Sequence, residues 1–175
     1  KVRPCEADAM YAGIVIDTNN FTNQTGVRTF EAAAFLRRNG ADVTRVRKLF
    51  RDDMQDYKAR AAAISSAEIY REAFSIGVCP SEGLPSPTIV CAQAANELLE
   101  IKGIKASVVM TEYHGLIYLS ARSIDEVNVQ VMMEKLGGGG HRTIAGAQLS
   151  GISMEEAKDR VKAVIDEMLQ KGDIS

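Results

Sequence analysis

Apolar residues in the first third of the chain follow two patterns. Ala12–Ile16 is a short continuous apolar run, which is typical of a buried strand, and Glu6–Met10 before it is interpreted as the end of a helix. From Val27 to Arg38 the apolar residues recur at helical spacing, which predicts an amphipathic helix. Its predicted inward positions are Val27, Phe30, Ala34 and Phe35. The first third therefore predicts a buried strand followed by a helix.

The rest of the chain alternates between helical and strand-like spacing. The predicted helices cover 42–50, 52–64, 88–101, 125–136 and 153–170, with Asp42, Asp125 and Ser153 as their N-caps where a cap is visible. Ile89, Ala92, Ala95, Leu98 and Leu99 are predicted to face inward on the 88–101 helix. The predicted strands cover 69–78, 106–110, 116–121 and 147–149, and the first is either one strand or two strands divided at Arg71-Glu72. The second and third of these form a hairpin around Tyr113-His114-Gly115, where His114 is expected to be a solvated turn residue.

The charged stretch around residues 50–54 separates two differently patterned parts of the chain. It contains neither Gly nor Pro, so the linker is expected to be helical rather than flexible. The length of 175 residues suits one ordinary domain or two small ones. We therefore predict a first domain at 1–52 and a second at 53–175.

Composition restricts the classes of function. With 46% apolar residues the chain can bury a core, and its net charge of −2 argues against a broad basic surface for duplex DNA. A nucleotide or a short oligonucleotide is not excluded by that charge. No secretory signal is visible, and no apolar run approaches the roughly 18 residues of a membrane span. Cys5, Cys79 and Cys91 show no metal-binding spacing, so we expect three buried thiols in a reducing compartment.

Four consecutive glycines, Gly137, Gly138, Gly139 and Gly140, precede His141 and form the most unusual feature of the sequence. Glycines allow a ligand to approach the backbone closely, and successive exposed amides can form a concave anion site. His141 would add a donor or a cation at its edge. Gly137 is alternatively the C-cap of the preceding helix, and the run is alternatively a flexible loop.

Three further residues are candidates for chemistry. Asp17 follows the predicted buried strand, where a carboxylate could ligate a hard cation or could be an ordinary turn residue. Arg122 has a planar guanidinium whose donors suit phosphate. Ser123 is a second candidate for binding the ligand and is alternatively a helix cap. A predicted helix of 12 residues, about 18 Å long, separates Arg122 from His141, so the two would approach one ligand from different sides.

Several stretches resemble one known family. Ile14–Ala33 resembles the end of the catalytic DHH domain in GdpP/YybT-type cyclic-di-AMP phosphodiesterases. Ile117–Ser123, Glu126–Leu136 and the glycine-His run resemble the DHH-associated C-terminal domain of the same proteins. The resemblance implies an α/β (α+β) fold, in which a mixed-sheet DHH-associated domain with packed helices follows the α/β tail of a DHH domain.

The resemblance also implies a function. It implies a phosphodiesterase with two manganese ions that opens cyclic di-AMP to linear pApA. Asp17 matches the family's last metal-ligating Asp, and Arg122, Ser123, the four glycines and His141 would bind the substrate. The family's Asp-x-Asp and Asp-His-His motifs are absent and would precede Lys1. This chain is therefore expected to be an inactive C-terminal fragment that lacks most of the metal ligands.

The expected partners follow from the same resemblance. They are a cyclic dinucleotide or short oligonucleotide, the upstream DHH domain of the same polypeptide and, as a candidate, a second copy in a homodimer. The parent would be anchored in the membrane by upstream helices, with this part at the cytoplasmic face. Two alternatives remain: a superfamily phosphoesterase or exonuclease acting on short oligonucleotides, and a non-catalytic nucleotide-binding or dimerisation module like the related domain of alanyl-tRNA synthetases.

Overall fold

The structure of the protein is a computed structural model that describes residues 2–174. Contacts within the chain divide it into two compact units, Lys1–Asp52 and Asp53–Ser175. Among the described helices, none is long and apolar enough to cross a membrane.

The first unit consists of helices: α1 (Pro4–Asp17), α2 (Val27–Arg38) and α3 (Val43–Leu49). The predicted strand at residues 12–16 is wrong, because these residues form the last turns of α1. Pro4 stands in the first turn of this helix, and the backbone N–H of Arg3 donates to the Glu6 carboxylate at 2.9 Å. The apolar run therefore continues a helix that is already well started, and a run this short does not distinguish a strand from a helix.

The apolar face predicted for α2 is also wrong. Val27, Phe30 and Phe35 are more than half exposed, and the helix buries Ala33 and Leu36 instead. Leu36 packs with Ala7 and Ala41 in a small core. The aromatic side chains of this helix are therefore left on the surface of the first unit.

The second unit contains four helices and six strands within the described residues. The helices are α4 (Met54–Ser65), α5 (Pro87–Leu98), α6 (Val129–Glu134) and α7 (Met154–Lys171). The strands are β1 (Glu68–Tyr70), β2 (Phe74–Val78), β3 (Ala106–Tyr113), β4 (Leu116–Ser123), β5 (Gly139–Gly140) and β6 (Ile144–Ser150). They form one sheet in the order β1-β2-β3-β4-β6-β5, in which β2 and β3 are parallel and the other neighbours antiparallel. The predicted mixed sheet with packed helices is confirmed.

Helices cover the two faces of this sheet unequally. On one face α6 and α7 pack on a large core, in which the side chains of Met132, Ile165 and Met168 are fully buried. On the other face α5 packs on the central strands through Cys91, Ala95 and their neighbours, and α4 packs on α5. We call this second face the α5 face. On its outer part Ile144 and Gln148 of β6 remain exposed.

Local details of the second unit correct three predictions. Asn128, not Asp125, caps α6 through the amides of Gln130 and Val131, so this helix is half as long as predicted. Ile89 is 58% exposed and does not face inward on α5. The β3–β4 hairpin and the Ser153 cap of α7 are confirmed.

The three thiols differ in environment, contrary to the prediction that all are buried. Cys5 is exposed on the first unit, whereas Cys79 and Cys91 are buried in the second. Burial raises the pKa of the Cys79 thiol to about 11 and that of the Cys91 thiol to about 12. The two buried thiols are therefore held in the protonated form at neutral pH.

Candidate functional site

Strand register brings two of the predicted site residues to the same end of the sheet. Arg122 on β4 lies opposite Ile144 on β6, and the backbones of Ile144 and His141 exchange hydrogen bonds of 2.7 and 3.3 Å. Arg122 and His141 are therefore separated by one strand, which corresponds to roughly 10 Å between backbones. The predicted approach from different sides of a long helix is wrong, because α6 is short and β5 returns the chain beside β6.

The glycine run forms an edge strand instead of a loop. Gly139 pairs with Gly146, and Gly140 pairs with Ala145. The amides of Gly137 and Gly138 donate to the carbonyls of Glu134 and Met133 at 3.0 and 2.8 Å. Most of these amides are thus satisfied within the chain, so the predicted concave anion site made of successive free N–H groups is wrong.

One amide of the run remains available for a ligand. Since His141 and Ile144 exchange backbone hydrogen bonds, the next pair, Gly140 and Ala145, is of the non-hydrogen-bonded type in an antiparallel ladder. The Gly140 N–H therefore points away from β6, toward the outer edge of the sheet. The donors at this corner are this amide and the exposed imidazole of His141.

The glycine positions differ in whether the structure has room for a side chain. A Cβ on Gly138 would lie 2.6 Å from the Cβ and 2.7 Å from the Cα of Ala147, and one on Gly140 would lie 2.5 Å from the Cα of Ala145. A Cβ on Gly146 would lie 2.8 Å from the Leu119 carbonyl oxygen. These glycines are required by close packing of the strands.

Gly139 has no such requirement. A Cβ there would meet no atom within 4 Å, and its φ lies outside the left-handed region. Because Gly139 pairs with Gly146, and Gly146 with Ser120, it belongs to the α5 face, where Arg122 also lies. The space above Gly139 is therefore open toward the same side as the Arg122 guanidinium.

Arg122 is half-buried and held by the protein on one side. Its Nε donates to Oδ1 of Asn96 on α5 at 3.0 Å, and its Nη1 donates to the Ala121 carbonyl at 2.9 Å. Burial lowers the pKa of the Arg122 guanidinium, so its charge is partly desolvated. The remaining donors of the fork are available to an anion, which would restore part of the lost solvation.

Ser123 is buried, and its hydrogen bonds are internal. Its hydroxyl donates to the Val127 carbonyl at 2.6 Å, and its amide donates to the Thr143 carbonyl at 3.0 Å. These bonds fix the segment that follows β4 to the turn between β5 and β6. The same turn is held by Arg142, whose guanidinium donates to the Asp125 carboxylate at 2.7 Å.

Two residues that the sequence analysis did not single out face a cavity beside this corner. The cavity measures about 530 Å³ and is lined by Tyr118, Leu119, Gly137, Gly138, Gly146, Ala147 and Gln148. Tyr118 on β4 lies directly opposite Gln148 on β6. The alternation along β4, which puts Tyr118 and Arg122 on one face, was the signal that could have identified Tyr118.

Asp17 lies in the first unit, at the C-terminal end of α1, and its side chain is exposed. Thr18 follows, and its hydroxyl donates to the Ile14 carbonyl at 2.6 Å. The next three residues, Asn19, Asn20 and Phe21, have φ values of 45°, 59° and 66°. Three successive left-handed residues without glycine are strained, and such strain is found at functional sites.

Residues 2–174 contain no cluster of three or more His, Cys, Asp or Glu side chains that could hold a metal ion. A site for two divalent cations needs several carboxylate or imidazole ligands. The described part of the chain therefore does not form a metal site of its own, and Asp17 is at most one ligand of such a site.

Comparisons with known proteins agree with this architecture. The DHHA1 domain family matches residues 86–171, which include α5, the β3–β4 hairpin, the glycine run and α7. The cyclic-di-AMP phosphodiesterase GdpP of Bacillus subtilis is 42% identical over 174 residues, covering 98% of this chain and 26% of that protein. The bifunctional oligoribonuclease and PAP phosphatase NrnA of Thermus thermophilus is 37% identical over 73 residues, covering 41% of this chain and 22% of that protein.

A solved structure shows the same fold over nearly the whole chain. It is an exopolyphosphatase-related protein from Bacteroides fragilis, with a TM-score of 0.84 and 21% identity, covering 95% of this chain and 51% of that one. Residues 86–171 therefore match the DHHA1 domain family, and the chain as a whole is similar to cyclic-di-AMP phosphodiesterases. It spans about a quarter of the length of the GdpP protein that it resembles.

Proposed function

We propose that this chain is the C-terminal, substrate-binding part of a phosphodiesterase that hydrolyses cyclic di-AMP to linear pApA. The observation that carries the proposal is the corner of the sheet where Arg122 and His141 lie on the same face, one strand apart, beside the open backbone of Gly139. The 42% identity to GdpP over 98% of the chain supports cyclic di-AMP as the substrate. In this proposal the first unit is the end of a DHH domain and the second unit is the DHH-associated domain.

The corner can bind the phosphates of a dinucleotide without a broad basic surface. Arg122 offers the free side of its fork, His141 offers a donor from the far side of β6, and the Gly140 amide offers a donor at the outer edge of the sheet. Gly139 lets the ligand lie close to the backbone, because no side chain rises from that position. Ser123 is a positioning residue in this scheme, since its hydroxyl holds the segment after β4 through Val127.

We extend the proposal to a manganese-dependent enzyme, in which Asp17 supplies one metal ligand from an exposed position. The described residues do not complete that site, so the other ligands must come from the upstream DHH domain of the same polypeptide. We further propose that the full-length protein is anchored in the membrane with this part at the cytoplasmic face, and that it acts as a homodimer. The greater length of the GdpP relative leaves room for an upstream domain and an anchor.

The activity is tested with the full-length protein. Purified enzyme with Mn²⁺ is expected to convert cyclic di-AMP to pApA, measured by chromatography of the products. The 175-residue chain alone is expected to show no turnover, because residues 2–174 contain no cluster of side chains that could hold the metal ions. Absence of hydrolysis by the full-length protein, or clear turnover by the chain alone with contamination excluded, would contradict the proposal.

Short oligonucleotides are a second candidate substrate. The 37% identity to NrnA over 73 residues favours this alternative. Side-by-side assays of cyclic di-AMP, pApA and short oligoadenylates distinguish the two by their kcat/KM ratios. Binding of all of them without hydrolysis would instead favour a non-catalytic nucleotide-binding module.

A further inference from the structure

The cavity beside the phosphate-binding corner has the chemistry of a nucleobase site. Its volume of about 530 Å³ lies within the range of ordinary small-molecule pockets. Three of its seven lining residues are glycines, Gly137, Gly138 and Gly146, and two long polar side chains, Tyr118 and Gln148, also line it. A flat, planar ligand with hydrogen-bonding edges fits this combination.

The two side chains are placed to act together. Tyr118 and Gln148 are directly opposite in the β4–β6 ladder, so their side chains project from the same face about 5 Å apart at Cβ. Within residues 2–174 the Gln148 carboxamide makes no hydrogen bond, and its side chain is exposed. An aromatic ring beside an unused carboxamide offers a stacking surface and a donor–acceptor pair at once.

The distance to the phosphate-binding corner also suits a nucleotide. Arg122 lies four residues after Tyr118 on the same strand and the same face, which corresponds to roughly 13 Å along the sheet. A nucleotide whose phosphate contacts Arg122 can therefore extend its base toward Tyr118.

We propose that Tyr118 and Gln148 form a base-recognition subsite that selects adenine, with the base stacked on the Tyr118 ring and its edge read by the Gln148 carboxamide. This proposal rests on the proposed function, since the phosphates must bind at Arg122. Adenine presents the N7 acceptor and the N6 amino donor, which match the amide nitrogen and oxygen of glutamine. Guanine presents two acceptors, N7 and O6, so O6 would face the glutamine oxygen without a proton between them.

The experiment measures base selectivity of the full-length enzyme. Cyclic di-AMP and cyclic di-GMP are compared by kcat/KM under the same Mn²⁺ concentration, and the parent is expected to prefer cyclic di-AMP. Gln148→Ala is expected to lower kcat/KM for cyclic di-AMP about 5- to 150-fold and to change that for cyclic di-GMP by less than about twofold. Gln170→Ala, an exposed glutamine at the end of α7, is the matched control and should behave like the parent.

Tyr118 is tested by separating the ring from the hydroxyl. Tyr118→Phe keeps the stacking surface and should retain the parent's KM, whereas Tyr118→Ala should raise KM for both substrates about 5- to 150-fold. Unchanged melting temperatures of the Gln148 and Phe variants exclude a folding effect.

Two failures are distinguishable. If the parent hydrolyses cyclic di-AMP but Gln148→Ala keeps the parent's ratio of kcat/KM for cyclic di-AMP to kcat/KM for cyclic di-GMP, the base subsite is refuted and the proposed function stands. If the parent hydrolyses neither cyclic dinucleotide, the proposed function fails. Calorimetric titration of AMP and GMP into the parent and Gln148→Ala then tests the subsite. If Gln148→Ala loses affinity for both nucleotides equally, or loses affinity for neither, the base subsite is refuted.

Discussion

Adding one methyl group at each of two neighbouring glycines separates the structural role of the glycine run from its binding role. Gly138→Ala would place its Cβ 2.6 Å from the Ala147 Cβ and 2.7 Å from the Ala147 Cα, and still closer to the Gly146 carbonyl oxygen. Backbone atoms of a paired strand cannot move aside as the end of a flexible side chain can. We therefore expect Gly138→Ala to disrupt the packing of the run against β6.

The cost of such overpacking is typically about 1–3 kcal/mol. For a unit of this size that corresponds to a fall in melting temperature of roughly 4–12 °C. Gly139→Ala meets open space at an ordinary backbone conformation, so its melting temperature should stay within roughly 2 °C of the parent or rise slightly. The same change should nevertheless weaken ligand binding, because the new methyl group occupies the space in which a ligand approaches the backbone.

The assay combines thermal unfolding with calorimetric titration of cyclic di-AMP into the full-length protein, with the metal omitted to prevent turnover. Steric exclusion by one methyl group is expected to weaken Kd roughly 5- to 150-fold for Gly139→Ala. A stable Gly139→Ala variant that binds like the parent would refute the assignment of this surface to the ligand. A Gly138→Ala variant as stable as the parent would refute the packing argument itself.

Four further outcomes are expected. His141→Ala should weaken binding of cyclic di-AMP about 10- to 100-fold in calorimetric titration, because it removes one donor to a charged group; an unchanged Kd would remove His141 from the site. Asn96→Ala should raise KM by a smaller factor than Arg122→Ala, since only one contact of the guanidinium is lost, and an unchanged KM would show that Asn96 does not orient Arg122. Asp17→Asn in the full-length protein should lower the bound manganese measured by elemental analysis while leaving the fold intact, and unchanged metal content would return Asp17 to the role of a helix-end residue. Glu167→Gln should lower the urea midpoint of unfolding at pH 7 but not near pH 2. Hydrogen bonds and ion pairs with lysines lower the pKa of Glu167 from 4.5 to about 2, so the stabilisation by its carboxylate is present above about pH 4.5 and is lost as pH falls toward 2. Equal falls in the urea midpoint at both pH values would contradict this.

The elements that could be predicted from sequence are those whose signals are local. The β3–β4 hairpin follows from two strand-like runs on either side of Tyr113-His114-Gly115, and α7 follows from the Ser153 cap and helical spacing. The apolar run at 12–16 carries no such signal, because a short run fits a buried strand and a helix equally. The exposed apolar side chains of α2 show that helical spacing identifies a helix without identifying which face is covered.

The candidate site was predictable only in part, for the same reason. Arg122 and His141 were identified from their residue types and from the adjacent glycines. Their proximity depends on the register of β4, β6 and β5, which is a non-local property that the sequence does not display. The opposition of Tyr118 and Gln148 depends on that register too, so neither residue could be paired with the other before the sheet was known.

The uneven burial of the three cysteines makes the two units separately observable. Cys5 is exposed on the first unit, while Cys79 and Cys91 lie in the second with thiol pKa values of about 11 and 12. An alkylating reagent at neutral pH should therefore modify Cys5 immediately and the other two only when the second unit opens. Pulsed alkylation with two isotopic forms of one reagent, followed by mass spectrometry, would measure the rate at which the second unit opens, without any introduced label.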